Sequence, residues 1–223
     1  MSHNPPHASP KHVGLIPDGG RRWARTHKKT YLQSYQLVME NVAEFVKFMF
    51  TQGATTLSIY LLSKENLRRP ADELEPVIEA ETYLLEHLLP PLANLLNIRI
   101  IHAGQTYPLP TQFAEALAKL CTNTASYRKH KLYLLIAYDP HDELAEACEH
   151  WDRQTEILPH LWVKEPLDLV IRTSGENRLS NFLPLQAGYA EYIFIPKHSA
   201  ELLTDDISAC LDEYNIRHRR FGR

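Results

Sequence analysis

The sequence predicts an α/β fold: a mostly parallel, six-stranded sheet flanked by helices. Three observations carry that reading. Short apolar runs alternate with longer segments whose apolar residues recur at helical spacing. Glycine, proline and small polar residues punctuate the junctions. The 223 residues, 44% hydrophobic and 23% charged, are enough for one domain with a sizeable core.

Residues 1–11 form a proline-rich lead-in, expected to be flexible and, lacking an apolar stretch, not to be a signal peptide. Residues 12–223 are expected to form a single catalytic domain. His12–Ile16 reads as the first strand. Pro17, Asp18, Gly19 and Gly20 then form a tight turn, with Arg21, Arg22 and Arg25 behind it. Strand, glycine turn and helix start together make an anion site, because first-turn N–H groups are unpaired. Asp18 reads either as an ion-paired structural residue or as a magnesium ligand facing a diphosphate. No GKS or GKT follows, so the turn is not a P-loop.

Tyr35–Phe50 is an amphipathic helix, with Val38, Met39, Val42, Phe45, Val46 and Met49 on its apolar stripe and Gly53 as its stop. Leu57–Leu62 is the second strand. Ser63, Asn66 and Arg69 after it either cap the next helix or reach a shared crevice. Ala71–Leu96 is a long leucine-rich helix, broken or kinked at Pro90-Pro91. It either packs on the sheet or walls an apolar tunnel. Ile98–Ile101 is the third strand, Leu109–Tyr127 a helix and Leu132–Ala137 the fourth strand. Asp142–Trp151 is a helix capped by Asp142. Leu167–Ile171 and Tyr192–Ile195 are the fifth and sixth strands, and Leu203–Tyr214 is the last helix.

Between the last two strands lies a turn-rich segment with Arg172, Arg178, Ser174, Ser180 and Glu191. Guanidinium forks grip phosphate oxygens, and hydroxyls fill the remaining acceptor sites. In a parallel sheet the three arginine-bearing strand ends converge on one edge. Asp18 and Glu191 are expected in that same site. So many arginines exceed the needs of one phosphate and suit two diphosphates or a triphosphate.

Composition excludes other classes. A net charge of -3 gives no global basic field, so no nucleic-acid partner is expected. Cys121, Cys148 and Cys210 form no CxxC pair and are expected to be buried thiols in a reducing compartment. The His3/His7 spacing lies outside any helix pattern, which argues against a metal site there. No apolar run approaches the ~20 residues of a membrane span. A cytoplasmic location with no transmembrane segment is expected.

Four ordered segments, together spanning nearly the whole chain, resemble the cis-prenyltransferase family, that of undecaprenyl diphosphate synthase. They are HVGLIPDGGRRWAR, IYLLSKENLRRP, LDLVIRTSGENRLSNFLPLQAGYAE and IRHRRFGR. The resemblance implies a magnesium-dependent prenyl diphosphate synthase. An allylic diphosphate ionises, the alkene of a second prenyl diphosphate attacks, and a proton leaves. Dimethylallyl, geranyl and isopentenyl diphosphate are the implied substrates. Asp18 would hold Mg2+ and the leaving group. Glu191 would be a second metal ligand, in its own or a partner's site. Arg22, Gly19 and Gly20 would cradle the allylic diphosphate, beside Tyr35. Arg172, Arg178 and Ser180 would bind the acceptor's diphosphate. Ser63, Asn66 and Arg69 would assist diphosphate binding and proton removal, with Asn66 as a catalytic residue. Arg21, Trp23, Lys64, Glu65 and Leu179 fall in the same motifs as substrate-binding positions. Arg219 and Arg220 would complete the neighbouring subunit's site in a homodimer.

The departures from the family pattern are specific. Gly20 stands where the family usually has Asn. Tyr31, Ser34 and Tyr35 stand where it has an arginine and then a Gly-His pair. Ala137–His141 replaces an Asn-Tyr-Gly-Gly-Arg segment, Leu67 and Leu185 replace tryptophans, and Leu61 fills a place that is usually small. The PDG-x-RRW form, the lost arginine and the tyrosine are similar to the cyclolavandulyl diphosphate synthase branch. That similarity implies a short-chain enzyme with head-to-middle coupling. Regular Z-chain elongation and a non-catalytic partner subunit are the alternatives.

Overall fold

The computed structural model describes residues 9–107 and 109–217. The His3/His7 spacing, the Arg219 and Arg220 roles and most of the lead-in fall outside them. Six strands form one sheet: β1 (His12–Ile16), β2 (Thr56–Ser63), β3 (Ile98–Ala103), β4 (His130–Tyr138), β5 (Leu169–Arg172) and β6 (Glu191–Phe194). Their order is β3-β4-β2-β1-β5-β6, and every pairing is parallel. The helices are α1 (Gly20–Thr26), α2 (Tyr31–Thr51), α3 (Ala71–Tyr83), α4 (Leu89–Leu96), α5 (Thr111–Thr124), α6 (Pro140–His150) and α7 (Thr204–Ile216).

The central strands are buried on both faces, which is why they read as continuous apolar runs. On one face Val13, Leu15, Leu57, Ile59 and Leu134 pack against helices, chiefly the stripe of α2 from Val38 to Phe50. The other face carries Ile16, Tyr60, Leu135, Tyr138 and Val170. Irregular chain covers it, through Val163, Phe182, Leu183 and Ala187. Gly14 permits this close cover, since a Cβ there would sit 2.6 Å from the Phe182 ring. Glu143 of α6 anchors the cover: it accepts hydrogen bonds from Tyr138 Oη, Val163 N–H and Gln186 Nε2.

Chain direction sets the crevice. From β1 the chain leads to β2, on one side; from β5 it leads to β6, on the other. The carboxyl ends of β1 and β5 therefore flank a topological switch point, where open α/β sheets bind ligands.

Several sequence expectations change in detail. The long helix breaks before its prolines: a widened π turn at Leu84–Leu88 separates α3 from α4, and Pro90 and Pro91 sit in the first turn of α4. Pro90 offers no N–H to the carbonyl four residues back, and the widened turn absorbs that loss. α6 is capped by Asp139, which accepts from the His141 N–H, and not by Asp142, because Pro140 takes the first helical position. Asp142 pairs instead with Lys64 at 2.6 Å. Cys148 is exposed on the outer side of α6, contrary to expectation; Cys121 is half-buried and Cys210 buried. Among the described residues no helix is long and apolar enough to cross a membrane.

Candidate active site

A cavity of about 500 Å³ lies at the carboxyl ends of β1, β2 and β5. Asp18, two residues beyond β1, is aimed into it by the neighbouring strand. Its N–H donates to Thr173 Oγ1, and its carbonyl accepts from the Thr173 hydroxyl, both at 2.8 Å. One carboxylate oxygen accepts the Gly19 N–H at 2.6 Å. The other meets Arg172 at 2.9 Å and Arg22 at 3.4 Å. Burial alone would raise the Asp18 pKa, but the Arg172 hydrogen bond and charge, with Arg22 beyond, hold it below the usual carboxylate value.

Gly19 is irreplaceable in this turn. Its φ is 100°, and a Cβ would lie 2.4 Å from His198 Nδ1 and 2.6 Å from Ser174 Oγ. Ser174 itself has φ 77° and shares its hydroxyl with His198 Nδ1 at 2.8 Å. Left-handed backbone recurs at Gly175, Ser180 and Asn181. Strain gathered this way marks a segment shaped for binding.

The arginines form a chain of pairs. Arg172, the last residue of β5, is buried; it donates to Ser180 Oγ at 3.0 Å and to the Arg178 carbonyl as well as to Asp18. Glu176 bridges Arg22 and Arg178, each at 2.5 Å. Glu73 pairs with Arg21, and with Arg25 at 3.5 Å. Arg25 also donates to Tyr31 Oη, at 2.9 Å from Nη2. The hydroxyl at position 31 thus faces a guanidinium that its phenol cannot replace in charge.

Of the expected site residues, Asp18, Gly19, Gly20, Arg21, Arg22 and Tyr35 line the cavity. So do Ser63, Asn66, Arg69, Arg172, Arg178 and Ser180. Ser63 also has a turn role, accepting the Asn66 N–H at 3.2 Å. Tyr35 lies across Gly20, its ring 3.1 Å from where a Cβ would be. Its hydroxyl accepts a long 3.5 Å contact from Arg69. Inward of these groups the walls turn apolar, through Val38 and Met39 of α2, Leu61 of β2 and Val77 of α3.

Five expected residues stand elsewhere. Trp23 is buried against His27, rings 4.4 Å apart. Lys64 turns to Asp142, Glu65 is exposed, and Leu179 packs on the second-face core. The 3-10 turn at Glu65–Arg68, with three residues per turn, puts Glu65 and Arg68 on the exposed side and Asn66 and Leu67 on the inner one, which a motif read as a block does not reveal. Glu191 is not in the Asp18 cavity of its own chain. It opens β6, level with Leu169, which is itself level with Val13, five residues before Asp18. That is about 16 Å along a parallel sheet, toward its opposite edge. There Glu191 pairs with Arg217 at 3.0 Å.

Sequence reasoning missed Glu176, Glu73 and Glu81. Glu176 was legible, a carboxylate two residues before Arg178 within the same polar turn. Glu73 and Glu81 flank Val77 at four-residue spacing along α3, a polar pair on an inward stripe. Among the described residues no cluster of three or more His, Cys, Asp or Glu forms a metal cage.

Comparison with known proteins fits this geometry. The family model described as putative undecaprenyl diphosphate synthase matches residues 16–222. The isoprenyl transferase of Streptococcus agalactiae serotype V is 30% identical, over 96% of this chain and 92% of that protein. The isoprenyl transferase of Streptococcus thermophilus is also 30% identical, over 96% and 93%. Lavandulyl diphosphate synthase from Lavandula x intermedia, solved with dimethylallyl diphosphate, superposes with a TM-score of 0.90 at 25% identity, covering 96% of this chain and 99% of that one. A probable undecaprenyl diphosphate synthase from Campylobacter jejuni shares the fold, with a TM-score of 0.81 at 23% identity over 97% and 100%. With its arginine-lined cavity at the switch point of a parallel sheet, the chain belongs to the cis-prenyltransferase family and is a transferase of the prenyl diphosphate synthase type.

Proposed function

We propose that this enzyme is a magnesium-dependent, short-chain prenyl diphosphate synthase that couples two prenyl units irregularly, head to middle. The observation that carries the reading is Tyr35 lying across Gly20 at the mouth of a small cavity that is arginine-lined outside and apolar within. The allylic pocket is thereby reshaped without a positive charge where the family has an arginine and an imidazole. Leu61 lines the apolar end, where its bulk would limit the length of chain accommodated.

Asp18 fits a magnesium ion bound mainly through substrate. It is a single ionised carboxylate whose Gly19-bound oxygen keeps a lone pair beyond its present partner, and magnesium favours one or two carboxylates plus phosphate oxygens. The metal would neutralise charge on the departing diphosphate. The chain's own groups do the rest. Arg22 and Arg178 exchange Glu176 for diphosphate oxygens, while Arg172, fixed by its buried contacts, holds Asp18 and Ser180 in position. Guanidiniums already aimed at the leaving group stabilise the charge that develops as the C–O bond ionises. The apolar walls keep water from the allylic cation.

The test is product analysis. Purified protein is incubated with Mg2+ and dimethylallyl diphosphate alone, and in parallel with isopentenyl diphosphate added. A branched alcohol from dimethylallyl diphosphate alone supports irregular coupling. A linear Z-product that needs isopentenyl diphosphate replaces that reading with regular elongation, the alternative within the same family. No turnover with any pair, together with binding to a homologous subunit, leaves a non-catalytic partner role.

A further inference from the structure

Glu73, Val77 and Glu81 follow at four-residue spacing on α3 and share one face of the helix. Glu73 stands at the cavity mouth with Arg21 and Arg25, whereas Val77 and Glu81 line the cavity itself. Eight residues of helix place Glu81 about 12 Å farther in than Glu73. Val38 and Met39 of α2 supply the wall there.

Glu81 is 0% exposed, and neither carboxyl oxygen has a hydrogen-bond partner. Arg69 reaches it only through its charge, and burial pushes its pKa up to about 8. At neutral pH the group is therefore mostly a neutral carboxylic acid. An unpartnered carboxyl in an apolar wall lowers stability, and a leucine or methionine at the same position would not. A ligand that completes its hydrogen bonds accounts for it. A neutral carboxyl both donates and accepts, and so does a hydroxyl. An ammonium is disfavoured by the charge of Arg69 and by the apolar walls.

We propose that Glu81 is a specificity residue that receives a hydroxyl on the hydrocarbon end of the allylic substrate, so that the substrate class preferred here is a hydroxylated prenyl diphosphate. The proposal rests on the prenyl diphosphate reading of this cavity. The diphosphate anchors one end of the substrate among the arginines, and the chain carries its hydroxyl inward to α3.

The test compares geranyl diphosphate with its analogue hydroxylated at the terminal carbon, and dimethylallyl diphosphate with its own hydroxylated analogue. Both pairs are measured with Mg2+ and either dimethylallyl or isopentenyl diphosphate as the second prenyl unit, on wild type, Glu81→Leu and Glu81→Gln. Wild type should favour one hydroxylated compound about tenfold in kcat/KM, the worth of one added hydrogen bond. Glu81→Leu should abolish or invert that ratio, and Glu81→Gln, which keeps a donor and an acceptor, should retain most of it. A wild-type ratio near one overturns the proposal, and so does a ratio that survives Glu81→Leu. Longer products from Glu81→Leu with an unaltered ratio also overturn it, since Glu81 would then only end the channel. Absence of turnover with every pair is a failure of the functional reading instead. Calorimetric binding of the same pairs then decides the proposal: tenfold tighter binding of a hydroxylated compound supports it, and equal affinity overturns it.

Discussion

Carboxyl groups meet opposite fates at the two ends of the cavity. At the mouth, Asp18, Glu73 and Glu176 each face one or more guanidiniums. At the inner end, Glu81 has no hydrogen-bond partner. The pKa directions follow: Asp18 and Glu176 are lowered, while Glu81 is raised to about 8. A paired cluster is stable without ligand and exchanges partners when an anion arrives. An unpaired buried acid is a defect until something completes it.

The two ends therefore carry opposite pH dependence. The stabilisation from Asp18 is present above the ordinary carboxylate pKa and is lost as pH falls through its lowered folded value. Glu81 is protonated in both states in acid. As pH rises from about 4.5 toward 8 the unfolded chain releases that proton and the folded chain keeps it, so stability falls.

The sharpest break in the comparison is Asp18→Ala. Turnover should fall by about 10³, the scale for losing a principal electrostatic contact to the reacting group. Unfolding free energy should drop by about 3 kcal/mol, because Arg172 is left buried without its anion. Turnover assays and urea titration measure both; an unchanged stability would mean that Arg172 finds another partner. Next in size is Glu81→Leu, which should stabilise the protein increasingly between pH 5 and 8, by at most about 1.4 kcal/mol per pH unit. Denaturation at several pH values shows the slope, and parallel curves for the two proteins would contradict the assignment of Glu81 as a raised acid. Glu176→Gln frees Arg22 and Arg178. It should tighten inorganic pyrophosphate binding only modestly by calorimetry, since exposed, solvent-screened pairs are weak. The smallest effect is expected from Tyr35→Phe, with stability changed by less than about 1 kcal/mol because its hydroxyl makes only a 3.5 Å contact. Its informative readout is the product mixture, and an identical mixture would make Tyr35 a packing residue.

The strands were legible because burial on both faces leaves unbroken apolar runs, and all six lie within two residues of their expected ends. The cover of the second face was not legible, since irregular chain packed through Phe182 and Leu183 has no period to detect. At the site, the arginines and small polar residues after β1, β2 and β5 were readable as an anion pocket. The side of the sheet taken by Glu191 was inferred from its motif and not from its place. A residue that begins a parallel strand faces the edge opposite to one that ends it. Glu81 escaped notice because an apolar stripe is read by counting apolar residues, and a single acid within it goes uncounted.

The contact between Tyr35 and Gly20 also ties the two positions together in any attempt to change one of them. A Cβ at position 20 would press the ring at 3.1 Å, and a longer side chain there would compete with the phenol for the same space. The two positions are therefore coupled: a side chain placed at 20 alone should press on the Tyr35 ring, whereas the same change made together with a smaller residue at 35 should be accommodated.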